Sequence, residues 1–182
     1  ILFLTGLGAK NIIHHYKGNI EWFTGNTNIT GPGKRGENET QCSVDKITTL
    51  FKTAENDGRQ FLYEHETYDL LNLSGAETPP MSELLVKGSR MTDDQLNSMP
   101  GDKVVLKVVS PTIFHKTDLK GVKIINKHPD IIRSSVRRML DEVPANYALQ
   151  IERDPGHAPS AYTQLSGESL VNAIAADIKG IL

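Results

Sequence analysis

The 182-residue sequence has a single cysteine, Cys42, which excludes an internal disulfide and a cysteine-rich zinc site. A chain this poor in cysteine is expected in the cytoplasm. Aromatic residues make up only 6% of it, and glycine (15) and proline (9) are not enriched, so collagen-like and low-complexity classes drop out. Its longest apolar runs, Ile1 to Leu4 and Val104 to Leu106, fall far short of the roughly 20 residues that span a bilayer, so no membrane association is expected. The first residue is Ile rather than Met, and Ile1-Leu2-Phe3-Leu4 lacks the basic flank of a signal peptide. That start reads as processed or incomplete.

What the sequence does have is unevenly placed charge. The formal net charge is −2, yet Lys103, Lys107, Lys116, Lys120, Lys123, Lys127, Arg133, Arg137 and Arg138 face only Asp118 and Asp130 within one segment, a local +7. The remainder is acidic. A confined basic segment on an acidic chain suggests an anion site. A nucleic-acid surface would also bring aromatics to stack on bases, and Phe114 is the one aromatic here, so phosphate groups of a small ligand are the expected anion.

Hydrophobic periodicity organises the chain from residue 43 onward. Residues 1–44 form a segment of unknown role: a strand at Ile1 to Leu4, a lone Gly6-Leu7-Gly8 turn, and a Gly- and Asn-rich loop over Thr24 to Gln41. Gly33-Lys34 lacks the first glycine and the Ser/Thr of a P-loop. Ile47, Leu50, Phe51 and Ala54 predict an amphipathic helix capped by Ser43 or Asp45 and stopped at Gly58. A second helix is expected from Tyr63 to Leu73, ending at Gly75. Lys103 to Ser110 reads as a strand ended by Pro111, and Gly121 to Asn126 as its hairpin partner across a 111–120 loop. Ile132 to Val143 predicts a helix stopped by Pro144, and residues 152–166 a connection. Ser166 caps a final helix bearing Leu170, Ala173, Ile174 and Ile178 on one face. Residues 45–182 are therefore expected to form one α/β (α+β) lobe, a small sheet with flanking helices.

Alternation places Lys107 on the same strand face as Val105 and Val109. Two readings are open: an edge-strand lysine that keeps its head in water, or a cation anchoring a phosphate on a cleft floor. His115-Lys116-Thr117-Asp118 follows, offering an imidazole, a cation, a hydroxyl and a carboxylate able to orient the imidazole. Gly121 would let backbone amides approach an anion closely.

Leu106-Lys107-Val108-Val109-Ser110-Pro111-Thr112-Ile113-Phe114-His115-Lys116-Thr117-Asp118-Leu119-Lys120-Gly121-Val122 resembles the signature of the ATP-grasp domain in ADP-forming acyl-CoA synthetases, relatives of succinyl-CoA ligase. Upstream, Gly58-Arg59-Gln60-Phe61-Leu62-Tyr63-Glu64-His65-Glu66 and Gly75-Ala76-Glu77-Thr78-Pro79-Pro80 are similar to that domain's entry. The likeness implies an ATP-grasp first lobe with the second lobe absent. It implies His115 as a catalytic residue in phosphoryl transfer, and Lys107, Ser110, Lys116, Asp118, Lys120 and Gly121 as the nucleotide- and phosphate-binding set. The cofactors implied are ATP or ADP, with Mg2+ held by ligands outside this chain, since Gly180-Ile181-Leu182 matches the end of the first lobe. The partner implied is a CoA-binding domain or subunit carrying a phosphohistidine; an oligomer is compatible with this. The reaction implied interconverts acyl-CoA, ADP and phosphate with acid, CoA and ATP. Lys120 departs from the family's pattern, which has glycine there, so the alternative is a non-catalytic binding or regulatory module.

Overall fold

The computed structural model describes residues 37–75 and 79–182, with side chains from residue 43 onward. The strand expected at Ile1 to Leu4, the Gly6–Gly8 turn and the Gly33-Lys34 pair lie outside the described residues. The chain divides into two compact units, broken between Pro80 and Met81.

In the first unit, helix α1 spans Glu37–Asn56 and helix α2 spans Glu64–Ser74. The loop expected over Thr24 to Gln41 gives way to helix at Glu37, upstream of the anticipated caps Ser43 and Asp45. The physical reason is local: the Gly/Pro composition that signalled a loop ends at Gly36, and Glu37 to Cys42 contains no helix breaker. At the other end the expected stop is found. Gly58 lies at φ 70°, its N–H donates to the Glu55 carbonyl at 2.9 Å, and Arg59 N–H reaches the Ala54 carbonyl at 2.9 Å. These two bonds make a Schellman motif that satisfies the last carbonyls of α1. Helix α2 also ends as the sequence predicts, with Gly75 at φ 66°.

In the second unit, β2 (Lys103–Val109) and β3 (Val122–Asn126) form the expected antiparallel hairpin, in register from Lys103 opposite Asn126 to Lys107 opposite Val122. Two very short strands complete the sheet: β1 (Leu85–Val86) and β4 (Gly180–Ile181), in the order β1-β4-β2-β3 with all pairs antiparallel. A Cβ on Gly180 would lie 2.2 Å from the Leu85 carbonyl oxygen, so only glycine lets β4 thread between β1 and β2. A short helix, α3 (Asp93–Ser98), precedes β2, capped by Thr92.

Helices α4 (Pro129–Arg153) and α5 (Gly167–Asp177) supply the apolar layer. Leu106, Val108 and Ile181 from the sheet meet Met139 and Val143 of α4 and Leu170 and Ile174 of α5 in one core. Ser166 is the N-cap of α5, as expected. Helix α4 does not stop at Pro144 but continues for nine residues. Proline here removes one N–H and leaves the Leu140 carbonyl without its helical donor. The ring is fully buried in the core, and that burial offsets the lost bond. The 152–166 connection contains two single 3₁₀ turns, Pro155–His157 and Ser160–Tyr162.

Candidate functional site

Strand β2 alternates as the sequence requires. Leu106 and Val108 turn into the core, while Val105 and Lys107 occupy the opposite face with their partners Ile124 and Val122. On that face Val105 is 46% exposed and Ile124 69%, whereas Val109, at the loop end of the strand, is buried. Lys107 is half-buried near the end of the strand, its backbone locked to Leu182 by two 2.8 Å hydrogen bonds. The paired backbone fixes where the Lys107 side chain leaves the strand, on a face that is exposed at Val105 and Ile124 and buried at Val109.

The hairpin loop leaves this strand at Ser110 and returns at Gly121. Ile113 and Leu119 peg it into the core, while His115, Asp118 and Lys120 are exposed and Lys116 is half-buried. Its two ends are tied to consecutive residues of α4, just after Pro144. Asn146 Nδ2 donates to the Leu119 carbonyl at 3.1 Å, and the Tyr147 hydroxyl donates to the Thr112 carbonyl at 3.0 Å. A second phenol reaches the same residue: Tyr162 Oη lies 2.9 Å from Thr112 Oγ1, donates to the Asp177 carboxylate, and its ring meets Tyr147 edge-on at 6.3 Å. Burial pushes the Tyr147 hydroxyl pKa up. Burial first, then the Asp177 hydrogen bond, raises that of Tyr162 well beyond the usual tyrosine range.

Two sequence expectations about this loop need correction. Asp118 does not orient His115, for no hydrogen bond joins the two side chains. The amides near Gly121 are not turned toward an anion either: Gly121 N–H donates to the Lys116 carbonyl at 2.7 Å and Lys120 N–H to the Thr117 carbonyl at 3.1 Å. Gly121 is needed for space, since a Cβ there would sit 2.7 Å from Val108 Cγ1 and 2.9 Å from the Lys116 carbonyl oxygen. Lys120 has φ 59° and is the one non-glycine residue with positive φ among those described. The left-handed turn explains why a glycine would suit position 120, and Lys120 carries the strain instead.

The basic segment also divides. Lys123 pairs with Glu142 at 3.5 Å, Arg138 approaches Glu142 at 4.0 Å, and Arg133 pairs with Asp93 and, at 3.6 Å, Asp130. Lys127 Nζ binds the Met99 carbonyl at 2.6 Å. Lys123, Arg133 and Lys127 thus link α4 and β3 to their neighbours, while the Arg138 contact stays within α4. Lys107, Lys116 and Lys120, the three lysines of the expected site, are on β2 and its loop. Sequence reasoning missed Asn146, Tyr147, Tyr162 and Asp177. The available signal was two of the chain's few aromatics, each with a polar tip, close behind an apolar helix face.

Among the described residues no helix is long and apolar enough to cross a membrane, and no three His, Cys, Asp or Glu side chains gather as a metal site would require. Residues 53–153 match the family model of the ATP-grasp domain. The beta subunit of acetate–CoA ligase (ADP-forming) I from Pyrococcus furiosus is 32% identical over 97 residues, 53% of this chain and 40% of that protein. The chain thus spans about two fifths of this relative's length. No solved structure matches it significantly. The family match covers more than half of the sequence and contains β2, the 110–121 loop, β3 and all of α4, and on that basis the chain belongs to the ATP-grasp family.

Proposed function

We propose that this chain is the nucleotide-binding portion of an ADP-forming acyl-CoA synthetase, a cytoplasmic ligase. Residues 45–182 are its first ATP-grasp lobe, and residues 1–44 are a segment of unassigned role. The observation that carries this reading is the placement of Lys107: a lysine on a rigid strand, on the sheet face opposite the aliphatic core, beside the loop bearing His115, Lys116 and Lys120. Phosphoryl transfer depends chiefly on positioning and charge neutralisation, so cations set at fixed points are what the chemistry asks of a binding lobe.

With the Lys120 and Gly121 amides spent within the hairpin, the phosphate contacts fall to the ammonium groups of Lys107, Lys116 and Lys120, with Ser110 at the loop's root and Gly121 closing its turn. Asp118, exposed on the same turn, limits the charge the loop presents. ATP or ADP fits this donor set, and Mg2+ would be held by ligands outside the described residues. His115 stands exposed on the loop, where its imidazole can meet a phosphoryl group carried by a partner. That partner is a CoA-binding domain or subunit bearing a phosphohistidine, in keeping with a relative named as a beta subunit.

A second reading, a non-catalytic binding or regulatory module, draws on two observations: Lys120 in a left-handed turn and an imidazole with no bond to Asp118. Calorimetric titration of ATP into the parent chain and Lys107→Ala tests the shared core of both readings. At least a tenfold loss of affinity, about 1.4 kcal/mol, is expected. Unchanged affinity overturns the site. Radiolabelled phosphate transfer in the assembled enzyme then separates the readings, because a relay loses turnover in His115→Ala and a binding module does not.

A further inference from the structure

The loop's root is held by a chain of hydroxyls that ends on a carboxylate. Ser110 Oγ lies 3.1 Å from Thr112 Oγ1 and accepts the Thr112 N–H at 3.3 Å. Thr112 Oγ1 lies 2.9 Å from Tyr162 Oη, and Tyr162 donates to Asp177 Oδ2. A phenol has one hydrogen, and a carboxylate can only accept it. With that hydrogen given to Asp177, Tyr162 can only accept from Thr112. Thr112 has then used its own hydroxyl hydrogen and must accept from Ser110. The direction is therefore fixed along the whole chain, from Ser110 through Thr112 and Tyr162 to Asp177. Ser110, buried three residues beyond Lys107, gives its hydroxyl hydrogen to Thr112, so it serves the site by holding the loop's root rather than by donating to a phosphate.

Tyr162 and Asp177 lie beyond residue 153, outside the segment matched by the family model. Tyr162 belongs to the 3₁₀ turn Ser160–Tyr162, and Asp177 is the last residue of α5. Neither touches the loop tip, yet together they grip Thr112 from the side chain while Tyr147 grips its carbonyl. Thr112 is three residues before His115.

We propose that Tyr162 and Asp177 are positioning residues for the nucleotide site: through Thr112 they fix the root of the 110–121 loop and the direction of the Ser110 hydroxyl, and so set where His115 and the loop lysines stand. This inference rests on the nucleotide-binding reading for its functional consequence, but the tether itself can be read without any ligand.

Amide hydrogen exchange on the full, ligand-free chain tests the tether. In Tyr162→Phe and Thr112→Val, which keep shape and remove one hydroxyl, the amides of residues 112–121 should exchange at least tenfold faster while the α4 and α5 amides keep parental rates. Asp177→Leu should do the same, because it removes the acceptor of the Tyr162 hydroxyl while keeping the bulk; a space-filling role for Asp177 would leave that variant at parental rates. Thr112→Ser, which restores the hydroxyl, should return to parental exchange. Parental loop exchange in Tyr162→Phe overturns the tether. ATP titration then gives the functional arm, with Lys107→Ala as the reference. Affinity should fall at least fivefold in Tyr162→Phe and recover within twofold in Thr112→Ser relative to Thr112→Val. If Lys107→Ala loses affinity and Tyr162→Phe does not, the positioning role is overturned. If Lys107→Ala binds as the parent does, the nucleotide reading falls, and the exchange rates still decide the tether.

Discussion

Around Arg59 the chain buries charge; between Leu106 and Ile181 it buries hydrocarbon. In the first unit the Arg59 guanidinium makes two parallel bonds to Glu66, at 2.7 and 2.8 Å, binds Asp57 at 3.0 Å, and lies 4.0 Å over the Tyr63 ring. Glu66 also accepts the Tyr63 N–H at 2.7 Å at the start of α2. Burial lowers the Arg59 pKa, but the hydrogen bonds to Glu66 and Asp57 outweigh it and leave the pKa raised. In the second unit the core is continuous and aliphatic, and the polar groups that enter it are neutral hydroxyls in a chain ended by Asp177. The difference teaches where each unit is vulnerable. A charged lock fails when one partner is removed, and a packed layer fails when volume is removed.

The largest expected effect is in the packed layer. Met139 is fully buried at the centre of α4, and Met139→Ala should lower stability by about 2–5 kcal/mol. Urea denaturation followed by circular dichroism measures this. A loss below about 1 kcal/mol would mean that the layer collapses around the cavity and is looser than its burial implies.

That layer was also the most legible part of the sequence. The periodicity of Ile132, Val136 and Met139, and of Leu170 and Ile174, foretells the buried faces because helix geometry is local. The β2–β3 hairpin is equally legible from its valines and the Pro111 stop. Strand β4 was not: two residues cannot show alternation, and its register is set by partners about 70 and 95 residues away. The run of α4 through Pro144 was hidden because proline's local cost is visible in sequence while the burial that offsets it is tertiary. At the site, Lys107 and the loop were legible, since strand alternation and a polar turn are short-range signals. The tether through Asn146, Tyr147, Tyr162 and Asp177 was not, for partners 15 to 50 residues apart in sequence leave no spacing to read.

The charged lock is the next test. Glu66→Ala should cost about 2–3 kcal/mol, because a mostly buried guanidinium loses its bidentate partner and keeps Asp57 and the Phe61 carbonyl. The paired replacement Arg59→Met/Glu66→Leu should recover most of that loss in the same denaturation assay, since neither buried charge remains. If the double variant is as unstable as Glu66→Ala, the pair contributes more than mutual neutralisation, and the two units differ less in principle than their chemistry suggests.

Lys120 offers an effect of opposite sign. Its φ of 59° costs an L-residue about 1–2 kcal/mol relative to right-handed backbone, and glycine does not incur that cost. Lys120→Gly should therefore raise stability by about 1 kcal/mol after the extra entropy of an unfolded glycine is deducted. An unchanged or lowered melting temperature would show that the lysine side chain makes a compensating contribution in the second unit.

The smallest effect distinguishes the units by pH. Tyr68 donates to Glu64 at 2.5 Å, and burial first, with that bond, pushes its hydroxyl up to about 12 from 10. The folded state thus favours the neutral phenol. Its contribution is fully present below pH 10 and is lost as pH rises from 10 through 12, where the unfolded chain ionises first. Tyr68→Phe should cost below about 1 kcal/mol near neutrality, the worth of one partly solvated hydrogen bond. It should also remove part of the stability loss between pH 10 and 12, measured by denaturation at half-unit steps. Tyr147 and Tyr162 shift in the same direction in the second unit, so alkaline destabilisation should persist in the variant. Its complete disappearance would place the whole alkaline response in the first unit and leave the hydroxyl chain around Thr112 insensitive to ionisation.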